Sequence, residues 1–209
     1  TPKYLYLQSL QSFNLIMSEQ AVSTEKKQNF SKQEFIALVL KDYRIANESR
    51  EASLLGRREV LSGKAKFGIF GDGKELPQLA MAKVFEKGDF RSGYYRDQTF
   101  MFAVENLTLQ EWFAGLYGHT DQEAEPMSAG RQMGGHFGTR SLNADGTWKD
   151  LTQIKNSSAD ISPTGGQMPR LLGLAMASKH FRQNPDIQKG AFQKFSNKGN
   201  EIAFGTIGD

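Results

Sequence analysis

Apolar positions recur at helical spacing in several stretches of the chain. Ser31-Lys32-Gln33-Glu34 has the form of a capping box, and Phe35, Leu38, Val39 and Tyr43 follow it, so a helix is predicted to start near residue 31. A second, charged helix is predicted from about Ser49 to Leu61, ending at Gly63. Lys66 to Phe70 reads as a short strand. Glu75 to Phe85 reads as a helix with Leu76, Leu79, Ala80 and Val84 on one face. Thr108-Leu109-Gln110-Glu111 is a further capping box, opening a helix through Trp112, Phe113, Leu116 and Tyr117.

From Gly118 to Gly166 the periodicity stops, and Gly, Ser, Thr, Asn and Asp dominate. Connections this long are usually functional or disordered. A helix from Gln167 to about Arg182 carries Met168, Leu171, Leu172, Leu174, Ala175 and Met176 nearly all round, which predicts burial. After a Lys-rich spacer, Ile202 to Ile207 is a short run of apolar, β-branched and aromatic residues, the signature of a buried strand in a parallel sheet. Helices alternating with two short strands suit an α/β layer fold.

At 209 residues and 38% hydrophobic, the chain can bury a sizeable core. Its 26 basic and 23 acidic residues leave a net charge of +3, and the basic residues are scattered, which argues against a nucleic-acid footprint. The absence of cysteine excludes disulfides, thiol nucleophiles and Cys-ligated zinc. Tyr4 to Met17 is too short and too polar to span a membrane and lacks an export signal's pattern, so a cytoplasmic setting is expected. Residues 1–30 read as a polar tail in which Met17 is the expected natural start and 1–16 a non-native addition. Residues 31–209 read as one α/β domain or part of a larger one.

Five stretches could carry chemistry. Gly68-Ile69-Phe70-Gly71-Asp72-Gly73-Lys74 matches the first seven positions of a phosphate-binding loop. Glu75 stands where a hydroxyl is needed, so a Gly-rich turn is the alternative. In Tyr94-Tyr95-Arg96-Asp97-Gln98 the arginine could grip a phosphate with tyrosine help, or pair with an acid. Gly130-Arg131-Gln132-Met133-Gly134-Gly135-His136-Phe137-Gly138 surrounds a histidine that can titrate near neutral pH with four glycines. His119 and His180 have no such setting and read as structural. Ser162-Pro163-Thr164-Gly165-Gly166-Gln167 opens a helix and offers backbone amides to an anion, or simply an N-cap. Gly208-Asp209 follows the last strand, where open α/β sheets hold ligands, and Asp209 offers a carboxylate for Mg²⁺.

Taken in order, Tyr95-Arg96, Gly130-Arg131-Gln132-Met133 with His136, Ser162-Pro163 with Gln167, and Gly208-Asp209 resemble the alpha part of thiamine-diphosphate-dependent 2-oxo acid dehydrogenases. The branched-chain (2-oxoisovalerate) type is the most similar. The resemblance covers roughly residues 30 to 209 and implies a three-layer α/β fold with a mostly parallel sheet, incomplete in this chain. It implies that Tyr95 and Arg96 bind the diphosphate, that Ser162 and Thr164 contact the aminopyrimidine, and that Gly208 and Asp209 belong to the cofactor site with Asp209 holding Mg²⁺. His136 would act in catalysis on its loop. Gly73-Lys74-Glu75-Leu76 would be a packed turn entering a helix, and Gly166 stands where branched-chain relatives use a hydroxyl to bind potassium.

The implied reaction is oxidative decarboxylation of a 2-oxo acid, branched-chain or pyruvate, with acyl transfer to the lipoyl group of a partner acyltransferase. A beta part, separate or fused, would supply the activating glutamate, in a dimer or heterotetramer. The chain reaches Asp209 before the motif's second glycine and its asparagine, so a truncated enzyme is expected. These 209 residues alone should bind the cofactor more weakly than micromolar and should not turn over. Transketolase-like ketol transfer and a non-catalytic assembly module are the competing readings.

Overall fold

The computed structural model describes residues 30–161 and 163–207. The expectations about the tail before residue 30, and about Ser162, Gly208 and Asp209, lie outside the described residues. Two compact units divide the chain, 1–38 and 39–209. In the first, the Ser31 capping box forms as predicted: Glu34 N donates to Ser31 Oγ at 3.2 Å, and Ser31 N donates to Glu34 Oε2 at 2.8 Å.

Helix α1 runs without interruption over Lys32–Leu61, where two helices were expected. The intervening Arg44-Ile45-Ala46-Asn47-Glu48 contains neither glycine nor proline, so nothing breaks the backbone ladder. In the second unit come α2 (Glu75–Lys83), β1 (Phe90–Ser92), α3 (Gln98–Ala103), α4 (Leu109–Tyr117), β2 (Asn156–Ser158), α5 (Gln167–Gln183) and β3 (Ala203–Gly205). The α4 capping box forms on both sides, and Gly118 ends that helix at φ +66°.

The strand expected over 66–70 is absent. Phe70 turns inward against Trp112 instead, with ring centroids 6.2 Å apart. On α2 the buried side chains are Glu75, Gln78, Leu79 and Ala82, whereas Leu76 is 74% and Val84 73% exposed, so the predicted face is rotated. Helix α5 keeps its predicted bounds but not its predicted burial: within it only Gln167 and Ser178 are buried, and Leu172 is 62% exposed.

Among the described residues the three strands are parallel, in the order β2-β1-β3, with Phe90 opposite both Asn156 and Ala203. This is the expected α/β arrangement with a parallel sheet. β3 is only half-buried, not fully buried as predicted, because among the described residues it pairs on one side. Phe204 inserts from β3 between Phe85 and Phe100, edge-on to both at 5.3 and 5.4 Å. With Met101, Val104, Trp112 and Leu116 these rings form the core. Successive strands lie on opposite sides of β1, so the carboxyl end of β1 is a topological switch point, where α/β sheets open a crevice.

Candidate functional site

The crevice is a cleft of about 460 Å³ lined by Gly73, Lys74, Gln78, Tyr94, Arg96 and Thr206 among others, a volume in the range of small-molecule sites. The Tyr94–Asp97 turn forms its wall, and its backbone is gripped from several sides. Gln78 on α2 donates Nε2 to the Arg96 carbonyl at 2.9 Å and accepts from Phe100 N at 2.9 Å. Asp97 N closes the turn on the Tyr94 carbonyl at 3.0 Å. A Cβ on Gly71 would stand 2.4 Å from the Arg96 oxygen, so that approach requires glycine. On the other side Gly135, at φ +90°, lies where a Cβ would come within 2.9 Å of the Tyr95 oxygen.

With the backbone fixed, the side chains are organised by aromatic stacking. The Tyr94 and Tyr95 rings lie 3.9 Å apart, and the Arg96 guanidinium sits 5.6 and 5.3 Å from their centroids. Arg96 Nη1 donates to the Tyr94 hydroxyl at 3.1 Å, which in turn donates to the Tyr95 hydroxyl. Burial above all, and then the bond to Tyr95, hold the Tyr94 phenol above its ordinary range, while Thr164 opposes that rise through a side-chain hydrogen bond. Tyr95, Arg96 and Thr164 are thereby brought together.

Beneath the turn lies a polar hub that sequence reasoning missed. Arg91, mid-strand in β1 and 0% exposed, donates Nε and Nη2 to Asp97 Oδ2 at 3.1 and 2.8 Å. Asp160, at the exit of β2, is buried beside it with Nη1–Oδ1 at 3.3 Å. Burial pushes the Asp160 carboxyl up to about 6, although Arg91 pulls it down. The sequence shows only Arg91 followed at once by Ser92 and Gly93, with nothing to mark the strand or the burial.

His136 is placed elsewhere. It lines a cavity of about 20 Å³ with Trp112, Glu125 and Phe137, and its Nδ1 lies 2.7 Å from the Met133 carbonyl. It does not line the cleft, although its neighbour Gly135 touches the turn. The loop before it is folded by Glu125, whose carboxylate accepts from Met127 N, Ser128 N and Gly130 N at 2.8–3.0 Å. Burial raises this carboxyl, but the hydrogen bonds outweigh it and leave the group below its ordinary range.

The Gly68–Lys74 stretch is not a phosphate loop. Glu75 takes the Gly73 amide at 3.0 Å and the Arg50 guanidinium at 2.7 Å, and Asp72 pairs with Arg57 at 2.7 Å. The amide a phosphate would need is therefore occupied. Among the described residues there is no cluster of three His, Cys, Asp or Glu that could hold a metal, and no helix long and apolar enough to cross a membrane.

No protein-family model matches the chain. Over 119 residues it is 30% identical to 2-oxoisovalerate dehydrogenase subunit alpha of Bacillus subtilis (strain 168). The match covers 56% of this chain and 31% of that subunit, so the chain spans about a third of its relative's length. The likeness is thus to the alpha subunit of a 2-oxo acid dehydrogenase, at low identity.

Proposed function

We propose that the chain is the alpha part of a thiamine-diphosphate-dependent 2-oxo acid dehydrogenase and that the cleft beside Arg96 receives the cofactor's diphosphate. The observation that carries this reading is the gripped Tyr94–Arg96 turn, which sets the Arg96 guanidinium and Tyr94 along the cleft at the carboxyl ends of parallel strands, with the Tyr95 ring stacked beside them. That donor set suits a phosphate, because a guanidinium offers two parallel N–H donors and a phenol a third. The likeness to a 2-oxoisovalerate dehydrogenase subunit supports the same reading.

In this reading Arg96 and Tyr95 hold the diphosphate, and Thr164 with Ser162 borders the ring system. Asp209 and Gly208, beyond the described residues, contribute the Mg²⁺ end; Mg²⁺ is commonly held by one or two carboxylates together with phosphate oxygens and water. When bound, the cofactor supplies the electron sink that lets a 2-oxo acid lose carbon dioxide. His136 orders its loop or handles a proton. The substrate is a branched-chain 2-oxo acid or pyruvate. A beta part completes the enzyme, and the acyl group passes to a lipoyl-bearing partner.

The test is titration of the chain with magnesium pyrophosphate and magnesium thiamine diphosphate at millimolar concentrations, followed by amide chemical shifts. Shifts should centre on Tyr95 and Arg96, and Arg96→Met should weaken binding by at least about tenfold, the loss of a charge-assisted pair. Equal binding by Arg96→Met, or no binding at all, would overturn the assignment.

A further inference from the structure

Arg91 touches three segments at once. Nη2 donates to the Tyr94 carbonyl at 3.0 Å and to Asp97 Oδ2, and Nη1 donates to Ser157 Oγ on β2 at 2.6 Å. Its plane lies over the Phe100 ring, 5.8 Å from the centroid. A Cβ on Gly93 would fall 1.8 Å from its Cζ, so the guanidinium fills the space in which any other residue at 93 would place its side chain. Asp97 gathers the other end of the arrangement. Besides Arg91 it accepts from Tyr94 N at 3.0 Å and from the Thr206 hydroxyl just beyond β3. Thr206 in turn accepts Gln167 Nε2 at 2.6 Å, and the Gln167 carbonyl accepts Ser92 Oγ at 3.0 Å.

We infer that Arg91 is the positioning residue of the ligand turn, setting the separation between the Tyr95–Arg96 donors and the carboxyl end of β3. This rests on reading the cleft as a diphosphate site. A ligand with several negative charges needs its cationic partners at fixed spacing, and a misplacement of one ångström weakens every contact. Arg91 has no exposed surface, so it acts through Asp97 and the Tyr94 peptide, never on the ligand itself. Arginine is required because a planar fork satisfies Asp97 along one edge and Ser157 from another, which a lysine's single point of charge cannot do.

The test compares Arg91→Lys and Ser157→Ala in the 209-residue chain. Magnesium pyrophosphate affinity and amide hydrogen exchange are measured together. Arg91→Lys should weaken pyrophosphate about tenfold and Ser157→Ala about threefold, the losses of charge-assisted bonds. Exchange should accelerate at Tyr94–Asp97 while Met101 and Leu116 in the core stay protected. Ser157 does not line the cleft, so its effect reaches the ligand only through Arg91. Unchanged affinity and exchange in a folded variant would overturn the inference, as would a loss of protection spread evenly over the core. If Arg91→Lys does not fold, Ser157→Ala decides. If the parent chain itself fails to bind pyrophosphate, the diphosphate reading falls, and exchange at Tyr94–Asp97 alone decides the role of Arg91.

Discussion

Asp160 gives the buried hub a measurable pH signature. Its carboxyl is set among Arg91 on β1, Asp97 on the turn and the Phe137 backbone. Its Oδ1 is buried without a hydrogen-bond donor. Burial is the largest cause of its rise from 3.8 to about 6, opposed by Arg91 and aided by Asp97. The folded state therefore holds this proton more tightly than the unfolded chain does. Unfolding releases a proton wherever the pH lies between the two values, so the Asp160 contribution to stability falls as pH rises through that window and is level above it. At 1.36 kcal/mol per pH unit the whole change is about 3 kcal/mol. Asp160→Asn keeps the shape and cannot titrate. Urea unfolding of parent and variant should give a stability difference that moves by about 3 kcal/mol in the variant's favour between about pH 3 and pH 7. Parallel pH profiles for the two proteins would refute the reasoning.

Two further substitutions probe the loop beside the turn. Gly135→Ala places a side chain at φ +90° and within 2.9 Å of the Tyr95 oxygen; a cost of about 1–2 kcal/mol from the backbone alone is expected, with amide shifts at Tyr95, and unshifted Tyr95 resonances would contradict the packing. Glu125→Gln, which weakens acceptance from three backbone amides, should cost about 1–3 kcal/mol. Because the Glu125 carboxyl is held below its ordinary range, the parent's advantage is present near neutral pH and lost as pH falls through that depressed value, which denaturation at several pH values will show.

Helix boundaries were largely legible because their signals are local. The Thr108 capping box and Gly118 mark both ends of α4, and Gln167 opens α5 where expected. Of the sheet, only the last strand was legible, as the apolar run that holds β3. The central strand reads Phe-Arg-Ser and its neighbour Asn-Ser-Ser, polar segments of three residues held by buried hydrogen bonds rather than by apolar burial. No periodicity argument detects such strands, since the side-chain partners of Arg91 lie six, 66 and 69 residues away. Helix α5 fails in the opposite sense: its apolar residues are visible in the sequence, but what they face is a tertiary matter, and Leu172 and Met176 are exposed. Tyr95 and Arg96 were candidates through their side chains and the resemblance together, whereas Gln78 and Thr206, which help to hold the turn, stood out by neither.

The polar character of the hub explains why the turn sits where it does. A buried ion pair is a poor source of stability compared with well-packed apolar residues, and removing one partner is costly because the other charge is stranded. What such a pair contributes is geometry. The Arg91–Asp97 pair contacts both the amide and the carbonyl of Tyr94, so the two peptide planes that flank this residue are each held. An apolar replacement could fill the volume but would leave both planes free to rotate. Rotation there would move the ring stack on which Arg96 rests, since Tyr94 contributes both a stacking partner and a hydroxyl to the guanidinium. The direction in which Arg96 presents its donors is therefore set two layers below the cleft surface, by a residue no ligand in the cleft can touch.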